Sequence, residues 1–224
     1  MTIEPTDAGV SLGGVSLRGV SLSRRGLALV ADLWLEVAAG ETVAIMGPSG
    51  AGKTTLLRAV AGLVDDAERE ITRPGDRVSM VFQDPRLLPW RTALQNVELV
   101  CPPGETHRAR HWLGAVGLGD ATDVYPAQLS GGMRQRVAIA RALAYPAPLV
   151  VVDEPFASLD TTTATAIRNE LVAHLADSNR TVLWVTHDAD EAATVASRIL
   201  RLDGPPTGSW ELIDQPTTDP GGTP

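Results

Sequence analysis

The chain is short of cysteine, aromatic residues and lysine. Its 224 residues include one cysteine, Cys101. A lone thiol forms no internal disulfide and fits a reducing compartment, so Cys101 reads as a partly buried small apolar residue. Aromatic side chains make up only 4%, which leaves aliphatic residues and alanine to build the core. No apolar run reaches the ~18 residues that a membrane-crossing helix needs. The start, Met1-Thr2-Ile3-Glu4-Pro5-Thr6-Asp7, lacks the basic and apolar regions of a secretory leader. A cytoplasmic location is expected, with any work at a membrane done through a partner. Basic charge is also scarce: the net charge is −8, which argues against a nucleic-acid partner. Of the 19 basic residues, 18 are arginine and one is lysine, Lys53. The planar guanidinium fork does not replace a compact ammonium, so the place of this lysine is informative.

Lys53 lies in Gly47-Pro48-Ser49-Gly50-Ala51-Gly52-Lys53-Thr54. The apolar run Thr42-Val43-Ala44-Ile45-Met46 before it reads as a buried strand, and Thr55 to Gly62 after it as a helix. Strand, glycine loop and helix are the context that makes G-x-x-x-x-G-K-[ST] a phosphate site. The glycines let backbone N–H groups face inward around a polyphosphate, and the helix start adds unpaired donors and a positive dipole end. Lys53 is placed to reach the β- and γ-phosphates, and Thr54 to hold Mg²⁺.

The pattern along the chain is α/β. Residues 1–9 read as a flexible start. Val15-Ser16-Leu17-Arg18 and Leu33-Trp34-Leu35-Glu36-Val37 read as strands of an antiparallel edge. Val78 to Phe82, Leu149 to Val152, Thr181 to Val185 and Arg198 to Leu202 read as further strands, alternating with helical stretches. Such alternation implies a mainly parallel sheet covered on both faces. The expected organisation is an ATP-binding core of residues 10–86 and 133–203, an inserted helical subdomain of residues 87–132, and a flexible Pro-, Gly- and Thr-rich tail of residues 204–224.

In open parallel sheets, ligands sit beyond the carboxyl ends of the strands. Here four strand ends carry the glycine loop, Gln83, Asp153-Glu154 and His187. Asp153, after four apolar residues, is placed to hold Mg²⁺ through water. Glu154 is placed to take the proton of an attacking water. Gln83 suits either Mg²⁺ or water, and His187 the γ-phosphate. His107, His111 and His174 fall in solvated helical patterns and read as inert. Ser130-Gly131-Gly132 opens a second helix and is a second anion site. Two half-sites in one chain are reconciled by a head-to-tail dimer with two equivalent nucleotides.

Taken together, these motifs resemble the ATP-binding-cassette (ABC) ATPases, from about Gly40 to Leu202. The match includes the loop 47–54, Gln83, the signature Leu129-Ser130-Gly131-Gly132-Met133, strand 149–154, Ser158-Leu159-Asp160 and His187, in that order. The resemblance implies the P-loop NTPase fold of ABC type, with ATP and Mg²⁺ as cofactors. It implies nucleotide contacts from Gly47, Pro48, Ser49, Gly50, Ala51, Gly52, Lys53, Thr54 and Thr55. It implies a metal shell of Thr54, Gln83 and Asp153, Glu154 as general base and His187 as γ-phosphate sensor. Ser130, Gly131 and Gly132 would face the nucleotide of a second copy or a homologous cassette, and Asp160 would couple the two sites.

The stretch Leu87-Leu88-Pro89-Trp90, with Asn96-Val97, further resembles the nitrate/sulfonate/taurine group of importers; related cassettes also serve import of thiamine precursors. This implies permease subunits, an extracytoplasmic solute-binding protein and a place on the cytoplasmic face of the membrane, with Trp90 as an anchor in the permease groove. Two features depart from the pattern. No aromatic residue precedes Ala31, where one usually stacks on adenine; Ser23-Arg24-Arg25-Gly26 stands there. The stretch from Leu63 to Val78 is also short, so a hairpin there is expected to be trimmed. The competing readings are an exporter or lipid-extracting ATPase, a soluble ABC protein of translation or DNA repair, and a small-molecule kinase. The Leu87–Trp90 segment favours import. The soluble proteins would need a second cassette or a coiled-coil insertion, and a kinase would need an Arg-rich lid.

Overall fold

A computed structural model describes residues 14–64, 70–156 and 161–215. Its centre is a six-stranded sheet with the order β5-β6-β7-β3-β8-β9. These strands are β3 (Thr42–Met46), β5 (Val78–Val81), β6 (Leu149–Asp153), β7 (Thr181–Val185), β8 (Arg198–Gly204) and β9 (Ser209–Asp214). All neighbours are parallel except β8 and β9. A second, antiparallel sheet holds β1 (Val15–Arg24), β2 (Leu27–Val37) and the short β4 (Glu70–Thr72). The two N-terminal strands are longer than their sequence pattern implied.

Strand β6 shows why the runs are continuously apolar: its successive side chains point to opposite faces, and both faces are covered. Leu149 and Val151 join α1 (Lys53–Val60) and the antiparallel sheet in one cluster, with Leu56, Leu57, Val30 and Leu33. Val150 and Val152 join the opposite cluster, formed by α2 (Ala93–Glu98), α3 (His107–Ala115), α4 (Gly131–Ala144) and α5 (Thr161–Asp177). The helices α2 and α3 fall within the stretch expected to be helical, and both pack on α4. The last helix, α6, spans Ala189–Val195.

Helix α4 ends without losing its carbonyls to an apolar interior. Ser79 Oγ donates to Ala142 O, Arg180 to Leu143 O and Arg108 to Ala144 O. These donors complete the open carbonyls of a helix end, and the two guanidinium groups offset its negative dipole.

The tail expected from residue 204 is corrected by β9. Pro205, Pro206 and Thr207 make the turn of a hairpin, and β9 pairs along β8 from Ser209 to Asp214. The alternation of Trp210 and Leu212, both half-buried against the core, is what holds it. The Trp210 indole donates to Ala31 O at 3.1 Å. Residues 216–224 lie outside the described residues.

Candidate functional site

The strand order sets β5, β6, β7 and β3 side by side and parallel. Gln83, Asp153-Glu154, His187 and the glycine loop therefore emerge along one edge of the sheet. Between β3 and α1 the loop turns through left-handed backbone at Gly50 and Gly52, with φ of 83° and 98°. Glycine is required at Gly52 for space as well: a Cβ there would lie 2.9 Å from the Cβ of Leu29. A Cβ at Gly47 would run into the carbonyl oxygen of Leu202. Strands β2 and β8 thus press on the loop from behind and leave its other side open, where Pro48, Ser49 and Gly50 are exposed.

Lys53 is buried at 8% exposure, and its ammonium donates to Gly47 O at 2.8 Å and Pro48 O at 3.0 Å. No carboxylate among the described residues pairs with it. Its hydrogen bonds among the described residues go to carbonyl oxygens of the loop, which leaves its charge for an anion at the loop mouth. The next residue, Thr54, donates its hydroxyl to Asp153 Oδ1 at 3.0 Å. Burial pushes the Asp153 carboxyl above its ordinary value, the Thr54 bond opposes this, and Glu154 adds to the upward push. A threonine hydroxyl and a buried carboxylate in contact are hard oxygen donors, which suit Mg²⁺. The open glycine loop with its enclosed ammonium suits a polyphosphate.

Glu154 takes a left-handed backbone, φ 43°, costly for a residue with a Cβ. Its N–H donates to Val185 O at 3.1 Å across from β7. The strain turns its carboxylate towards His187, whose Nδ1 lies 3.5 Å from Glu154 Oε2. The His187 side chain is 69% exposed and that of Glu154 22%. Gln83 is exposed just past β5 and makes no side-chain hydrogen bond among the described residues.

Ser130 stands at the N-cap of α4, with its Oγ accepting the Met133 N–H at 3.1 Å. None of the described bonds joins it, Gly131 or Gly132 to the strand-end residues. Ser130 and Gly131 face solvent. Asp160, with Ser158 and Leu159, lies outside the described residues. Thr55 is half-buried in the first turn of α1.

Residues 30–157 match the ABC transporter family. The chain belongs to this family. It is 42% identical over 200 residues to an aliphatic sulfonates import ATP-binding protein of Rhodococcus jostii, covering 86% of this chain and 80% of that protein. A protein of the same name from Frankia alni is 45% identical over 193 residues, covering 85% and 78%. An uncharacterized ABC transporter ATP-binding protein of Methanocaldococcus jannaschii is 43% identical over 192 residues, covering 80% and 72%. Among solved structures, the ATP-binding cassette MJ0796, as a dimer in a post-hydrolysis state with ADP and Pi bound, superposes with a TM-score of 0.75. It is 32% identical, and the match covers 88% of this chain and 97% of that one.

Against the pattern of ABC cassettes, the hairpin tip at Arg24, Arg25, Gly26 and Leu27 is wholly exposed. Leu27 precedes Leu29 by two residues on the same strand, and Leu29 lies under Gly52. An aliphatic side chain, 54% exposed, therefore stands beside the two arginines of this tip. Of the histidines expected to be inert, His111 and His174 are not merely solvated: their rings pack edge-on against Trp112 at 5.1 and 4.9 Å. Cys101 is half-buried, and burial pushes its thiol upward.

Two site-supporting residues escaped the sequence reading. Gln135, fully buried on α4, donates to Phe82 O, the residue before Gln83. Glu191 is buried on α6 below His187. The only sequence signal for Glu191 was its spacing three residues after Asp188, the pattern of a helix start.

Proposed function

We propose that the chain is the ATP-hydrolysing subunit of an ABC importer for a small solute of the sulfonate, taurine or nitrate type. One observation carries the chemistry: the Thr54–Asp153 and Glu154–His187 contacts stand together at the ends of adjacent parallel strands, beside the buried ammonium of Lys53. Lys53 and the open N–H groups of the glycine loop and the start of α1 bind and orient the polyphosphate. Thr54, Asp153 and Gln83 would hold Mg²⁺, which would supply neutralisation of phosphate charge. Glu154 accepts a proton from water as the water oxygen bonds to the γ-phosphorus. The bond from that phosphorus to the β–γ bridging oxygen breaks, and ADP leaves with the electron pair. Protonated at one ring nitrogen, His187 donates to the γ-phosphoryl oxygens from beside that base.

Ser130, Gly131 and Gly132 present open N–H groups without a nucleotide site of their own, which supports a second cassette facing them. The family resemblance assigns Asp160 the coupling of the two sites. The permease partner is read from a groove of about 310 Å³ lined by Leu63, Met80, Phe82, Val100, Arg141 and Tyr145. Trp90 is 70% exposed on the loop just before α2. That loop is rigid because Asn96 accepts the Leu88 N–H and donates to the carbonyls of Leu88, Arg91 and Thr92. No described helix is long and apolar enough to cross a membrane, so the chain reaches the cytoplasmic membrane face through the permease. An extracytoplasmic binding protein would deliver the solute.

The test is ATPase activity of the complex purified with its membrane subunits and binding protein. It is challenged with alkanesulfonates, taurine, nitrate and thiamine precursors. Stimulation by one solute class, lost in Glu154→Gln, supports the reading and identifies the cargo. Turnover that ignores every solute and binding protein points instead to export or lipid extraction.

A further inference from the structure

Glu191 is a buried carboxylate with no cationic partner among the described residues. It is 9% exposed, in the first turn of α6. Its Oε1 accepts the indole N–H of Trp184 at 2.8 Å, and its Oε2 accepts the hydroxyl of Thr186 at 2.8 Å. Trp184 lies near the end of β7 and Thr186 just past the strand, three residues and one residue before His187. The residue between them, Val185, receives the N–H of Glu154. Thr186 Oγ1 in turn accepts the N–H of Asp188, and Asp188 Oδ1 caps the N–H groups of Asp190 and Glu191. The carboxylate thus closes a ring of hydrogen bonds around the backbone from which His187 projects. Among the described residues, the one ion-pair contact of His187 is with Glu154.

A stabilising role explains this poorly. Burying an ionised carboxylate against two neutral donors costs desolvation that a well-packed apolar pair avoids. The fully buried Trp184 could fill its place on β7 without the indole bond. The arrangement instead holds the backbone of residues 184–188 in one conformation while leaving the imidazole free.

We infer that Glu191 is a positioning residue for the hydrolytic step. Through Trp184 and Thr186 it sets the place of His187 relative to Glu154, without touching nucleotide itself. This rests on the proposed role of His187 at the γ-phosphate.

The experiment compares MgATP hydrolysis and melting temperature of the full chain in its membrane complex. The variants are His187→Ala, Glu191→Leu, Glu191→Gln and the pair Trp184→Phe with Glu191→Leu. Misplacement of a catalytic group by a fraction of its contact distance predicts a kcat about tenfold lower or more for Glu191→Leu, with KM for ATP within about twofold. Glu191→Gln keeps one acceptor and an amide that donates to Thr186 Oγ1, and recovers most of kcat. The double apolar variant melts at or above the wild-type temperature and remains slow. That combination separates positioning from stability. If the double variant turns over at the wild-type rate, or if kcat tracks melting temperature across the set, the inference is overturned. If His187→Ala itself leaves kcat intact, the proposed role of His187 fails, and the inference with it. If His187→Ala is slow while Glu191→Leu is normal, only the inference fails.

Discussion

The hydroxyl of Thr54 donates to Oδ1 of Asp153 across 3.0 Å, joining the start of α1 to the end of β6. This bond offsets part of what burial costs the carboxylate, but not all of it, because burial is the largest influence on Asp153 and raises its proton affinity. The folded chain then holds that proton more tightly than the unfolded chain. Between the unfolded and the folded titration points, the contribution of Asp153 to stability falls as pH rises. Asp153→Asn should therefore melt above the wild type at neutral pH. The gain should shrink as pH falls towards ~4, where the unfolded carboxylate also protonates. Thermal melts across that range check the sign. MgATP hydrolysis by the same variant should be lost.

Lys53 tests whether a compact ammonium is required. Lys53→Arg keeps the charge, but the guanidinium does not fit between Gly47 O and Pro48 O inside the loop. We expect kcat/KM for ATP to fall about 10²–10³-fold, the scale of losing a preorganised charge at a transferring phosphoryl group. Near-normal hydrolysis by the arginine variant would show that the charge alone suffices.

Glu154 combines chemistry with strain. Glu154→Gln should lower kcat about 10²–10⁴-fold, the scale of a lost general base. It should also accumulate a dimer in saturating MgATP, measured by light scattering on the full chain. A variant that stays monomeric there, while the intact complex still closes, would count against the site assignment. Glu154→Gly removes the side chain from a left-handed position and should stabilise the fold by about 1 kcal/mol while abolishing hydrolysis.

Trp90 and Asn96 separate docking from folding. Trp90→Ala removes an exposed ring and should change stability by less than about 0.5 kcal/mol. ATP-driven dimer formation should persist, while co-purification with the permease and solute-stimulated ATPase fall. Asn96→Ala leaves the Leu88 N–H and the Arg91 carbonyl without their partner, while Leu88 O and Thr92 O keep the backbone N–H groups of residues 91 and 96, and should cost about 2–3 kcal/mol. Denaturant melts distinguish the two variants.

Much of the site was legible in sequence because its parts are local. The glycine loop declares itself by spacing, and Asp153 and His187 by following apolar runs. Ser130 follows from its place before a glycine-opened helix. The β8–β9 hairpin was less legible. Prolines and glycines around residues 204–208 read as the start of a tail, and only the pairing with β8 and the burial of Trp210 make them a turn. Gln135 and Glu191 were hidden for a related reason. On a helix they look like any polar residue, and their meaning comes from Phe82 O and the Trp184 indole, which lie far off in the chain or on another element.

The sequence by itself determined the phosphate loop, the alternation of strands and helices, and the order of the motifs. Each depends on residues within about one strand–turn–helix unit, where spacing dictates geometry. The strand order was decided by tertiary structure, because parallel strands pair through crossovers whose partners the local pattern does not specify. That order brings Gln83, Asp153, His187 and the loop to one edge. Packing around it turns Glu154 into strained backbone, buries Lys53 among carbonyls and closes Glu191 beneath His187.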